Sequence, residues 1–333
     1  MGSARLVFVL SPAKTLDLSS PRFSQCSQPR LLSHAHELID RLQKLSQSQI
    51  KSFFGVSDSL AKLNCDRFQH FDTSESVTKP IIASATLKQA VLAFNGPAYQ
   101  GLEASTLSES DLEFAQTHLR ILCGLYGILR PLDLIQPYRL EMGQKLATKR
   151  GKDLYEFWGD TIVSELDALF RKQEAIDGKT GTRVLINVAS QEYFKSLPSV
   201  ALQTANISVV ECIFKDDGKI KSVYAKRARG LMCRYLIQNR VDSIEDLKGF
   251  HTEGYSYSSS GSSQKKLVFI RSGAAQKAAM QKIKSTSAIE RHTATSLSKL
   301  DCDSILIKRK KEKTIGQPLR RSLRKKRKIE DLE

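Results

Sequence analysis

The chain has no apolar run near the roughly 18 residues that a membrane-crossing helix needs; residues 6–10 are typical of its longest uninterrupted apolar stretches. A membrane-spanning protein is not expected. The first residues lead straight into the strand-like Arg5-Leu-Val-Phe-Val-Leu10, with no charged segment followed by a long apolar one, so no secretory leader is expected. Cysteine is sparse and scattered, at 26, 65, 123, 212, 233 and 302, and never as C-x-x-C. That spacing suggests neither a zinc knuckle nor a disulfide framework and fits a reducing interior. The phosphate-loop and dinucleotide glycine patterns are missing, as are G-x-S-x-G and H-E-x-x-H. His34 and His36 are two apart and do not share a helix face, and His70, His118, His251 and His292 are isolated. No metal site and no cofactor is expected.

Acid is also in short supply. Against 35 Asp and Glu stand 52 Lys and Arg, a net charge of +17 in 333 residues. Residues 305–333 carry twelve of the basic and four of the acidic side chains, leaving a net of +9 on the rest. Two clusters dominate that tail, Lys308-Arg-Lys-Lys311 and Arg320-Arg321 with Arg324-Lys-Lys-Arg-Lys328. So dense a charge run repels itself and buries little, which predicts a flexible segment. It reads as a bipartite nuclear-import signal that an import receptor takes, as a nucleic-acid-contacting arm, or as a solubilising tail. The expected organisation is one domain over 1–285 and a flexible basic tail over 286–333. The location expected is cytoplasmic, or nuclear through the tail.

With 41% apolar residues the remainder can bury a core. Leu31, Leu32, Ala35, Leu38, Ile39, Leu42 and Leu45 recur at helical spacing. Shorter helices are predicted around 48–54, 57–64 and 84–94. Ser108-Glu-Ser-Asp111 resembles a capping box with Asp in place of Glu or Gln, and opens a predicted helix over 109–123 that Gly124 would end. A helix is predicted over 156–172. Residues 183–189 are nearly all apolar, as in a central strand. Asp216-Asp-Gly-Lys219 lies between two apolar runs and predicts a hairpin of 207–214 with 220–225. Residues 228–239 read as a helix, Ser243-Ile-Glu-Asp246 as a short one, and 255–257 with 267–271 as a last hairpin. The sum is a mixed α+β fold.

Chemistry-bearing residues are fewer. Lys14 sits in a loop after the first strand, without the glycines of a phosphate loop. Gly124-Leu-Tyr-Gly127 makes a tight turn between two apolar elements. Such a turn either offers its N–H groups to a phosphate or is an ordinary core junction. Arg130, Arg139, Lys195, and Lys226 to Arg229 with Arg234 lie near aromatics and glycines, and together with the positive charge they point to a polyanion partner. Asp153, Glu156 and Asp160 flank Trp158 and read either as paired carboxylates or as helix-start acids.

Several longer motifs now stand in order. They are Ser11-Pro-Ala-Lys-Thr-Leu16, Phe94-Asn-Gly with Tyr99-Gln-Gly101, and Leu122-Cys-Gly-Leu-Tyr-Gly-Ile-Leu-Arg-Pro131. Gln136-Pro-Tyr-Arg-Leu-Glu-Met-Gly143, Gly151-Lys-Asp-Leu-Tyr with Phe157-Trp-Gly-Asp160, Ala189-Ser with Glu192-Tyr-Phe194, and Tyr224-Ala-Lys with Ala228-Arg-Gly230 follow. Over residues 5–271 the chain closely resembles the YaaA family of peroxide-stress-response proteins. The resemblance implies an unusual single-domain fold with a mixed sheet, flanking helices, a helix-hairpin-helix-like element and a positively charged cleft. It also implies a cytoplasmic protein of peroxide survival that binds DNA without sequence preference, and no established enzymatic reaction.

Two functions follow as expectations. The first is a DNA-binding protein that limits oxidative damage. Its phosphate contacts would come from the Gly124–Gly127 turn and from Lys14, Arg130, Arg139, Lys195, Lys226 and Arg229, while Tyr126 and Tyr138 either stack on an unpaired base or pack in the core. The second is an enzyme acting on a nucleotide or nucleic acid, with Glu141 or Asp160 as general base.

Overall fold

The computed structural model describes residues 4–20, 23–74, 87–178, 181–283 and 285. Five apolar side chains in a row make residues 6–10 suited to a strand covered on both faces, and all five are buried. In chain order the first elements are β1 (Arg5–Leu10), β2 (Thr15–Leu16), α1 (Leu32–Gln43), α2 (Gln47–Phe54), α3 (Asp58–Gln69) and β3 (Lys88–Gln89). Next come α4 (Ala90–Ala93), β4 (Phe94–Asn95), α5 (Pro97–Leu102), α6 (Glu109–His118), β5 (Leu119–Cys123), β6 (Gly127–Leu129) and β7 (Leu134–Ile135). Then follow α7 (Leu154–Trp158), α8 (Thr161–Asp177), β8 (Arg183–Asn187), α9 (Gln191–Phe194), α10 (Ser199–Thr204) and β9 (Ile207–Asp216). The series closes with α11 (Ser222–Gln238), α12 (Ile244–Leu247), β10 (Ser256–Tyr257) and β11 (Lys266–Arg271).

The main sheet has seven strands in the order β10-β11-β9-β8-β1-β5-β6. The inner five run parallel, and the two edge strands are antiparallel to their neighbours. The result is an α+β fold with a mixed sheet. The chain leaves β1 for β5 on one side, and later builds β9 and β11 outward from β8 on the other. Its direction of winding therefore reverses between β1 and β8, the place where open sheets of this kind leave a crevice at their C-terminal edge. No helix among the described residues is long and apolar enough to cross a membrane. The chain divides into two units, Met1–Gly273 and Ala274–Glu333. Of the second, residues 274–283 and 285 are described and helical; the basic clusters at 308–328 lie outside the described residues.

Helix caps formed as the sequence indicated. Ser108 accepts from the Asp111 N–H while Asp111 accepts from the Ser108 N–H, and Ser243 caps α12 through the Asp246 N–H. The last hairpin pairs Ser256 with Ile270 and Tyr257 with Phe269.

Four expectations are corrected. The helix over 109–123 stops at His118. Residues 119–123 instead pair with β1, Phe8 against Leu119 and Leu10 against Ile121, and all five are buried. Gly124 is then a turn residue between two strands, and no helix-hairpin-helix forms there. The Asp-Gly turn does not make a hairpin: after it the chain enters α11, and β9 finds a parallel partner in β11. Ile220 and Val223 are accordingly well exposed. The helix over 156–172 is two helices, broken at Gly159, whose φ is +45°. Of the helix over 84–94, residues 84–86 lie outside the described ones, and within 87–94 only 90–93 are helical.

One consequence concerns pH. Burial, and then the charges of Arg120 and Arg240, hold the His118 imidazole below its ordinary 6.5, although its bond to the Phe114 carbonyl pulls the other way. The folded state thus disfavours protonation, whereas the unfolded chain protonates near 6.5. Stability is complete above that value and is lost as the pH falls below it. The melting temperature of the wild-type chain should fall on moving from about pH 7.5 to 5.5. His118→Gln should flatten that dependence in a calorimetric series.

Candidate functional site at the C-terminal edge of the sheet

Where β1 and β8 end, their loops are stitched together. The Ser190 N–H donates to Ser11 Oγ at 2.9 Å, Ser11 Oγ lies 3.3 Å from Ser190 Oγ, and the Val188 N–H donates to the Val9 carbonyl. Tyr99, on α5, donates its hydroxyl to the Ser11 carbonyl at 3.1 Å. Beyond Ser11 the chain turns into β2, which pairs with β4 through Thr15 and Asn95.

The loop places Lys14 on Glu141. Lys14 Nζ and Arg139 Nη2 both lie 3.0 Å from Glu141 Oε1. Lys14 is 68% exposed, Arg139 18% and Glu141 9%, so the carboxylate is covered by its cations. Glu141 Oε2 and Arg139 Nε are both buried without a hydrogen-bond partner. The Arg139 guanidinium lies 5.6 Å from the Phe54 ring centroid, and Arg67 of α3 is close enough for the two charges to repel. Burial, and then Arg139, lower the Arg67 guanidinium below its ordinary value.

Beneath them is a phenol and thiol cluster. Tyr138 Oη is 2.8 Å from Cys123 Sγ, and Tyr193 lies close to both Cys123 and Glu141. Burial pushes the Cys123 thiol up to about 11 and raises Tyr99, Tyr138 and Tyr193 as well. Cys123 is therefore a neutral thiol, not the exposed thiolate that reacts with peroxide.

The structure sorts the residues expected from sequence. Lys14, Arg139 and Glu141 meet. Gly124, Tyr126 and Gly127 do not face solvent: the N–H groups of Leu125 and Tyr126 point inward at Cys123 Sγ, and Trp158 donates to the Gly124 carbonyl and packs under Gly127. The turn is the core junction, not a phosphate cradle. Arg130 is held by Asp133 at 2.8 Å and by the Gln28 carbonyl. Asp160 is exposed at the start of α8 and shares no hydrogen bond or ion pair with Glu141. Asp153 caps α7, and Glu156 pairs with Lys152, so these are helix-start acids.

Lys195 is exposed over the Tyr155 ring, and Lys226 is exposed on α11. Arg229 is half-buried with Glu211 as a charged neighbour, and Glu211 stands beside Asn187 at the end of β8. Arg227 and Arg234 are spent on structure: they donate to the Gln100 and Leu102 carbonyls of α5, and Arg227 also pairs with Glu253.

Ser11, Tyr99, Arg67, Cys123 and Tyr193 were not singled out from sequence as site residues. Ser11 and Ser190 did carry a signal, each being a polar residue just past an apolar parallel strand. The stretches that carry the family resemblance are bonded to one another here. The Gly143 N–H donates to Glu192, Tyr155 donates to the Glu192 carbonyl, and Gly101 and Gly230 bring α5 and α11 into backbone contact. A helical hairpin is also present, built by α2 and α3 around Gly55, whose φ is +61°.

A cavity of about 550 Å³ lies at the opposite edge near the start of β8. Its Arg183 is already paired with Asp167 and Glu174. The family model described as peroxide stress protein YaaA matches residues 6–261, a stretch that holds every strand of this sheet but β11, and the chain belongs to that family.

Proposed function

We propose that the protein binds DNA at the C-terminal edge of its sheet, without sequence preference, and thereby limits oxidative damage during peroxide stress. The observation that supports this is that Arg67, Lys195 and Lys226 make no ion pair with a carboxylate among the described residues, with Arg229 half-buried on α11 near Lys226 in sequence and opposed by the Glu211 charge alone among the described residues. Family membership supplies the peroxide context. Cations that meet phosphates fix a duplex in place and read no bases. The α2–α3 hairpin, which carries Arg67, is the helical element nearest to this role. Lys14 and Arg139 add charge at the rim, partly offset by Glu141. The basic clusters of the tail would add non-specific affinity, or engage an import receptor and bring the protein to the nucleus.

A fluorescence-anisotropy titration of the full chain against a labelled duplex, over a salt series, tests the reading. Replacing Arg67, Lys226 and Arg229 by Gln together should lower affinity about a hundredfold near 0.15 M salt and reduce the salt slope by about 3. Unchanged affinity in a variant that melts like wild type would assign binding to the tail and sink the proposal. The enzyme reading draws on Glu141 alone. Asp160→Asn should leave any turnover on nucleotides intact, because Asp160 stands apart from the cluster.

A further inference from the structure

Glu141 is out of place in a site that only collects phosphates, since its charge opposes them. Its geometry suggests a different task. Guanidinium and carboxylate ordinarily meet in a two-bond fork. Here one bond is made, Arg139 Nη2 to Glu141 Oε1, and the other donor and acceptor, Nε and Oε2, are both buried and unmet. Buried polar atoms are nearly always paired. Glu141 is nine-tenths buried and Lys14, on its solvent side, reaches it from a loop. The cluster thus keeps one acceptor and one donor unmet, behind Lys14, on two groups that are already joined.

We propose that the Arg139–Glu141 pair takes the hydrogen-bonding edge of a nucleobase, either an unpaired base in DNA or the base of a free nucleotide. Oε2 accepts from a ring or exocyclic N–H, and Nε donates to the adjoining ring nitrogen or carbonyl. A phosphate or a carboxylate ligand has no donor for Oε2 and is repelled by it. Every nucleobase carries a donor beside an acceptor, so the pair accepts a base without selecting a sequence. The ligand must also carry negative charge, because Lys14, Arg139 and Arg67 outnumber the one carboxylate. A phosphate attached to the base meets that need. In its DNA form the inference rests on the binding proposed above; in its free-nucleotide form it does not.

The test compares three duplexes on the full chain: fully paired, with one bulged adenine, and with an abasic residue in that bulge. Adenosine monophosphate is titrated in parallel. Wild type should prefer the bulged adenine to the abasic bulge by about tenfold, the discrimination expected of a paired donor and acceptor on a base edge. Glu141→Gln puts an amide N–H where Oε2 was and should bring that ratio to one, while binding of paired duplex tightens because a negative charge is gone. Arg139→Lys, which removes Nε, should also abolish the ratio, and a melt of each variant confirms folding. A wild-type ratio of one, or a ratio that survives both substitutions, overturns the base pocket and leaves the DNA reading standing. Absence of binding to any duplex, with adenosine monophosphate binding lost in Glu141→Gln, overturns the DNA reading and leaves the pocket standing. Absence of both overturns both.

Discussion

Changing Arg271 to Met lowers the free energy of unfolding by about 3–5 kcal/mol, because it strands a buried carboxylate. Arg271 Nε lies 2.7 Å from Asp216 Oδ1, and the two side chains are 2% and 0% exposed. They face each other on the last rung of the β9–β11 ladder. Tyr255 donates its hydroxyl to Asp216 Oδ2 and lies under the Arg271 guanidinium at 4.3 Å. Glu253 takes Arg271 on one side and Arg227 on the other. Two cations and two carboxylates thus close one neutral set that ties the end of the sheet to α11. Removing one cation leaves a charge in the interior with no water to take it. Asp216→Asn in the same chain should recover most of the loss, since an amide still accepts from Tyr255 and carries no charge. Urea unfolding of the two single variants and the double variant measures this. Simply additive losses would mean that the charges do not act on each other.

How much of this was legible follows from which forces are local. Capping is local, and Ser108 with Asp111 and Ser243 with Asp246 stood in the sequence as they stand in the fold. The run of apolar residues at 6–10 likewise announced a buried strand. Residues 119–123 misled because Leu119 and Leu122 continue the helical spacing of Leu112 and Ala115. What makes them a strand is the open edge of β1, more than a hundred residues earlier in the chain. The Asp-Gly turn at 217–218 is real, with Asp216 and Lys219 bonded across it. Its hairpin is absent because β9 finds β11 instead, a pairing across fifty residues that no turn signal reports.

The site divides in the same way. Lys14, Arg139 and Glu141 were each nameable as polar residues within distinctive stretches. That all three share one oxygen depends on the loop after β1 reaching the segment after β7. Gly124 to Gly127 looked like an anion-binding turn because glycine frees the backbone. Burial decided otherwise: the freed N–H groups satisfy a cysteine sulfur and the close approach admits Trp158.

The second large effect lies where fold and site join. Gly230→Ala should destabilise the chain by about 3 kcal/mol, at the upper end of overpacking costs, because the added methyl has no side chain to displace. Its Cβ would stand 1.7 Å from the Ala98 carbonyl oxygen and 2.9 Å from the Leu102 nitrogen. On the facing helix, a Cβ at Gly101 would stand 2.4 Å from the Arg227 carbonyl oxygen. The two helices therefore touch backbone to backbone, and relief requires α5 or α11 to move as a body. Moving α5 shifts Tyr99, which holds the Ser11 carbonyl, and with it the bond from Ser190 that closes the β1–β8 crevice. Gly178→Ala is the control, because φ there is +65° but the space is open. It should cost only the strain of a left-handed residue, about 1–2 kcal/mol. Thermal melts of both variants, with anisotropy titrations below their transitions, separate the outcomes. Gly178→Ala should lose a little stability and no DNA affinity. Gly230→Ala should lose both, and retention of full affinity in a Gly230→Ala chain that still folds would show that the crevice does not depend on α5.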